Sequence, residues 1–267
     1  MVNYQSIFFM GLSCIIAVFL PLGLMIYFYK RLHISLKAVL VGASVFFVFQ
    51  IVLRIPFLNN LGQTDWFKNL VSGQIWSNYL VFPLFLALTA GIFEEIGRYF
   101  GFYYFLRNDL EWKNGLAFGV GHGGIESILL IGFSFLNNLV ISLMINFGAF
   151  ESQIASKLPA ETAQALKNSL ISAQPWLFAA GGLERISALA IQIAFSLMVL
   201  YSVKFRKVRF LFYAILLHAI ADFPAGLYQM KALNLWVTEL ITLAFAGIAV
   251  YYIVKSKETF GRVEDRI

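Results

Sequence analysis

Apolar runs at about 7–29, 35–58, 78–106, 114–149, 176–203, 208–230 and 233–254 alternate with short polar stretches. Crossing a bilayer takes ~20 mostly apolar residues at 1.5 Å rise each, and every run is long enough. The pattern predicts an all-α polytopic bundle of about seven transmembrane helices, with residues 1–267 as a single integral membrane domain. The fourth run is too long for one straight helix, and Gly119, Gly121, Gly123 and Gly124 within it predict a kink or close backbone packing. Residues 151–175 are the main polar insertion, and the stretch from Pro159 reads as a short interfacial helix with proline near its start.

Composition agrees: 60% of residues are hydrophobic, 13% are charged and the mean hydropathy is +0.78, far from a soluble domain. One cysteine, Cys14, excludes an intramolecular disulfide framework and any CxxC metal site. The opening MVNYQS carries no Lys or Arg and no A-x-A cleavage site, so the first run reads as a spanning helix, not a removable signal. A net charge of +6 raises the question of nucleic acid, but the basic residues cluster between apolar runs and membrane topology explains them better. Thirteen of the twenty Lys and Arg fall in the first, third and fifth connections and the tail, four lie on the opposite side, and Arg54, Arg98 and Arg185 lie within spans. By the positive-inside rule the N-terminus faces out and the C-terminus is cytoplasmic, in a multi-pass protein of the cell membrane. Nucleic acid is excluded as a partner, and membrane lipid is expected.

Besides Arg54, the ionisable residues Glu94, Glu95, Arg98, His122, Glu126, Glu184, Arg185, His218, Asp222 and Glu239 fall within the predicted spans. Each costs roughly 2.5–3.5 kcal/mol near the bilayer centre unless it meets a partner or water. Along its own helix each motif reaches a similar depth, with Glu94 and Glu126 ~18 Å, His122 ~12 Å, His218 ~15 Å and Asp222 ~21 Å from the inner surface. Glu94 and Arg98, His122 and Glu126, and His218 and Asp222 are i,i+4 pairs, so each pair shares a face.

A carboxylate beside an imidazole in a dry site can act as general base on a captured water and hydrolyse a peptide bond. Two histidines and a carboxylate, namely His122, His218 and Glu94, equally suit a divalent metal such as zinc. Neither HExxH nor GxSxG occurs. An ion-paired structural network and a proton-relaying transporter are the rival readings of the same residues. Glu184 and Arg185 read as a structural pair, and Glu126 as a metal ligand, a second base or a packing partner of Arg98. Glu239 reads as interfacial, and Arg54, near the outer end of the second span, as a snorkelling side chain.

Glu94-Glu95-x-x-Arg98, Phe118-x-x-x-His122 and His218-x-x-x-Asp222, in that order, resemble the motifs of the type II CAAX prenyl endopeptidases and related glutamic-type intramembrane proteases. The EExxR spacing is one residue shorter than the CAAX EExxxR and closer to the EExxK of PrsW-type proteases. GHGGIES around His122 and GGLERISA around Glu184 look most like the YhfC family of bacterial membrane proteins within that superfamily. The resemblance covers about residues 88–225. It implies an intramembrane endopeptidase acting on a peptide or membrane-protein substrate, with Glu94 or Glu95 and His122 activating water, His218 and Asp222 at the oxyanion, and Arg98 as counter-charge. It also allows a catalytically silent scaffold. The site is expected in the cytoplasmic half, in a cavity open toward that side.

Overall fold

The computed structural model describes residues 1–72 and 77–264. Among the described residues seven helices are long and apolar enough to cross a membrane: α1 (Tyr4–Leu32), α2 (Leu36–Leu61), α3 (Tyr79–Phe105), α4 (Trp112–Asn146), α5 (Pro175–Lys204), α6 (Arg209–Gln229) and α7 (Leu235–Val263). They lie within a few residues of the predicted runs, except that α7 continues well past 254. There Phe260 packs edge-on to Tyr201 and Phe205, so the basic tail starts as a helix tied to the bundle. Local signals set the boundaries. Asn3 caps α1 by accepting a hydrogen bond from the Gln5 amide at 2.8 Å, His33 ends it in the left-handed conformation (φ 52°), and Ser35 caps α2.

Helix α5 is the central pillar: it is mostly buried, whereas α7 is largely exposed, and it packs on α1, α3, α4, α6 and α7. Helix α3 lies between α2 and α6. The long α4 does not break at its glycines; it runs through, with a π-helical stretch at Ile128–Gly132. The glycines serve close packing instead. A Cβ on Gly121 would overlap the Val39 carbonyl of α2, and one on Gly42 the Phe118 carbonyl of α4, so two backbones meet along a glycine seam. Gly121→Val is therefore expected to lower stability by roughly 1–3 kcal/mol through overpacking, read as a drop in unfolding temperature in detergent. Unchanged unfolding would mean that the seam relaxes freely.

Near the N-terminal end, Ala160–Ser172 forms the expected short helix after Pro159. It buries Ala163 and Leu170 in a cluster with Val2, Met10, Ile141, Ile145, Phe150 and Phe178, so the polar insertion caps α1, α4 and α5.

The first half of α2, Leu36–Phe46, packs tightly on α4, but Phe47–Arg54 is π-helical and turns to α3. The second half of α4 packs on α1. The two helices thus diverge beyond Phe46, and the space between them becomes a cavity of about 370 Å³. Its lining passes from Phe46, Glu94 and His218 through Arg54, Leu86 and Asp222 to the exposed Ala225 and Gln229. It therefore extends toward the end bearing the N-terminus and the Lys- and Arg-poor connections. A cavity opening toward the basic end was expected; on that side the Gly42/Gly121 seam and the apolar cluster of Leu116, Phe118, Leu197 and Leu200 fill the bundle.

Candidate active site

Glycines bring the polar helices together. A Cβ on Gly91 would lie 2.6 Å from the Ile215 carbonyl oxygen and 3.4 Å from His218 Cβ, so α3 and α6 are in backbone contact one turn before Glu95. Gly119 and Gly123 seat α4 on α5: a Cβ on the first would lie 2.6 Å from Ile193 Cα, and one on the second 2.9 Å from Gln192 Cβ. From these helices Glu94, Glu95 and Arg98, His122 and Glu126, Gln192, and His218 and Asp222 converge in mid-bundle.

The two adjacent glutamates separate cleanly. Glu94 Oε2 lies 3.0 Å from His122 Nε2, 3.9 Å from His218 Nε2 and 3.5 Å from Arg98, and it lines the cavity. Glu95 is fully buried; its Oε1 takes His218 Nδ1 at 2.5 Å and the Arg98 guanidinium. Adjacent helical residues point ~100° apart, so one faces His122 and the cavity while the other braces His218 from behind. Asp222 Oδ2 completes the His218 environment at 3.4 Å from Nε2, with its side chain 45% exposed.

Aromatic rings hold both imidazoles: Phe46 meets His122 edge-on at 5.2 Å, Phe118 stacks on it at 6.2 Å, and Phe195 stacks on His218 at 4.9 Å. His122 Nδ1 is buried without a hydrogen-bond partner among the described residues.

Gln192 is the hub that charge-based reading missed. Its Oε1 accepts from Arg98, and its Nε2 donates to Glu126 at 2.6 Å and Glu94 at 3.3 Å. A neutral amide adds nothing to a charge count, and its only sequence signal was a polar residue in mid-span. Glu126 does not pair with Arg98; it accepts from Gln192 and from Arg185 at 3.1 Å, because α5 stands between it and Arg98. Glu184 and Arg185 do pair, at 2.6 Å, and both line the cavity. Arg54 does not snorkel. It is 9% exposed and lines the cavity, donating to the Leu86 carbonyl at 2.7 Å and the Thr89 hydroxyl at 3.3 Å.

Comparison with known proteins gives this cluster a context. The profile of the family described as YhfC intramembrane metalloprotease matches residues 16–242. The chain belongs to this family. A YhfC relative, the membrane protein YhfC of Bacillus subtilis (strain 168), is 38% identical over 262 residues, covering 97% of this chain and 100% of that protein. No solved structure matches. YhfC membership together with seven spanning helices makes the chain a multi-pass membrane protein of a protease family.

The family description raises the question of a metal, and the donor types answer in part. His122 Nε2 and His218 Nε2 both approach Glu94 Oε2, and His218 Nδ1 is held by the Glu95 carboxylate, the outer partner that a metal-bound imidazole usually has. The chemistry of this set suits zinc. The donors are bonded to one another, however, and among the described residues no three His, Cys, Asp or Glu form a ready ligand group.

Proposed function

We propose that this YhfC-family chain is an intramembrane endopeptidase whose Glu94 and His122 activate a water molecule against a peptide bond. The observation that carries the reading is the 3.0 Å contact between Glu94 Oε2, which lines the cavity, and the buried His122 Nε2 behind it. A water there can give its proton to Glu94 as its oxygen attacks the carbonyl carbon, with Arg98 and Gln192 holding the carboxylate in place. His218, in its doubly protonated form, donates to Glu95 through Nδ1 and to the developing oxyanion through Nε2, and Asp222 orients it. Collapse of the tetrahedral intermediate breaks the C–N bond as the proton on Glu94 passes to the leaving nitrogen. A substrate would reach this site along the cavity, whose lining runs from Glu94 and His218 to the exposed Ala225 and Gln229. The same ordered motifs support the wider likeness to CAAX and PrsW-type proteases.

A divalent cation, if one binds, would be held by Glu94, His122 and His218, and would polarise the carbonyl and acidify the bound water. Purified protein reconstituted with quenched fluorescent apolar peptides tests the reading, with elemental analysis and chelation in parallel. Cleavage is expected in wild type. Persistence of full activity in metal-free, chelator-treated protein assigns the step to Glu94 and His122 alone, whereas loss on chelation and return with zinc assigns it to the metal. Absence of cleavage of every membrane peptide, with a defect in transport or complex assembly on mutating Glu94, would favour the transporter or scaffold reading.

A further inference from the structure

Arg54 and Gln50 stand out because the chemistry proposed above does not use them. Both project from the π-helical stretch Phe47–Arg54 of α2, both are 9% exposed, and both line the cavity. Arg54 spends Nε on the Thr89 hydroxyl and Nη2 on the Leu86 carbonyl, two neutral acceptors, and among the described residues Nη1 makes no hydrogen bond. Among the described residues no carboxylate lies within ion-pair distance of it, although Glu94, Glu126, Glu184 and Asp222 face the same cavity; the other two in-span arginines, Arg98 and Arg185, both have one. Gln50 Oε1 is buried with no partner, and its side chain makes no hydrogen bond among the described residues. A largely buried cation hydrogen-bonded only to neutral oxygens, with Glu94 and Asp222 acting on it from across the cavity, beside an unsatisfied amide, is a costly arrangement that a ligand of matching chemistry would relieve.

We propose that Arg54 and Gln50 form a carboxylate subsite that captures the free C-terminus of a peptide substrate. The Arg54 guanidinium and the Gln50 amide supply donors to the carboxylate, and Gln50 Oε1 accepts a backbone N–H, which a peptide end carries and a simple anion lacks. The Arg54 anchors, Leu86 and Thr89, lie eight and five residues before Glu94 on α3, about 8–12 Å along the helix. The subsite thus acts on binding and selection and stays clear of the reacting atoms. The inference rests on the peptidase reading for its ligand but is tested without turnover.

Binding of acetyl-Leu-Leu-Leu, of its C-terminal carboxamide and of acetyl-Leu-Glu-Leu carboxamide is measured by calorimetry on the full chain in detergent. The free acid is expected to bind about tenfold or more tightly than its amide. Arg54→Gln should erase that preference with amide binding unchanged, whereas Gln50→Leu should reduce it and also weaken the amide, whose backbone N–H loses the Gln50 acceptor. Arg54→Lys, which keeps the charge and loses the fork, should retain only part of it. Equal binding of acid and amide by wild type overturns the proposal and needs no variant, so a misfolded Arg54→Gln does not block the test. A preference for the side-chain glutamate over the free terminus also overturns it. If the acid preference follows Arg54 yet no peptide is ever cleaved, the subsite stands and the peptidase reading falls; cleavage with no acid preference has the reverse meaning.

Discussion

Glu94→Gln should lower peptide cleavage by about 10³-fold, and His122→Ala by a similar factor, because each removes one half of the proposed proton-accepting pair. The glutamine is nearly isosteric, so it keeps the volume at a position only 4% exposed and can still bond Gln192 and the His122 ring. Arg98 keeps its Glu95 partner, so the unfolding temperature should change little. Activity and stability therefore come apart at Glu94. The companion substitution Glu95→Gln should behave differently: Glu95 faces away from the cavity and braces His218, so its loss should weaken the fold and disturb His218 together. Cleavage by Glu94→Gln within about tenfold of wild type would remove Glu94 from the chemistry.

The largest effect on folding is expected at Arg98. Its side chain is fully buried and joins Glu94, Glu95 and Gln192, which belong to two different helices. Arg98→Leu leaves two buried carboxylates without their cation and Gln192 Oε1 without its donor, a change that typically costs 3–5 kcal/mol. Chemical unfolding in detergent would record it. Part of the loss should return in Arg98→Leu combined with Glu95→Gln, since the double variant removes one of the stranded charges. Lysine at 98 keeps the charge but cannot bond three partners from one plane, so Arg98→Lys should fall between wild type and leucine. Wild-type stability in Arg98→Leu would show that the carboxylates are already served by water.

Much of this was readable from the chain. Hydrophobic run length placed the seven helices because a bilayer demands it of any spanning segment, and the cost of burying charge brought Glu94, His122 and His218 together. Helical geometry alone could say that just one of Glu94 and Glu95 faces His122; choosing between them needed the rotation of α3, which the Gly91 contact with α6 sets. Arg54 was misread because its place near a helix end suits snorkelling, whereas the π-helical turn swings it inward to Leu86 and Thr89. The direction of the cavity was misread for a related reason. Depth along a helix says how high a residue sits, and the side on which helices part depends on which faces have glycine to close the gap.

The π-helical stretch in α2 has a consequence for how this helix can vary. A π turn amounts to one residue inserted into an α-helix, and each inserted residue rotates everything beyond it by ~100°. Residues before Phe47 therefore keep the register that fits Gly42 to α4, while Gln50 and Arg54 follow a register of their own. One helix carries two independent addresses, a fixed one for assembly and an adjustable one for what the cavity accepts, and a single-residue deletion at the junction would rewrite the second without disturbing the first.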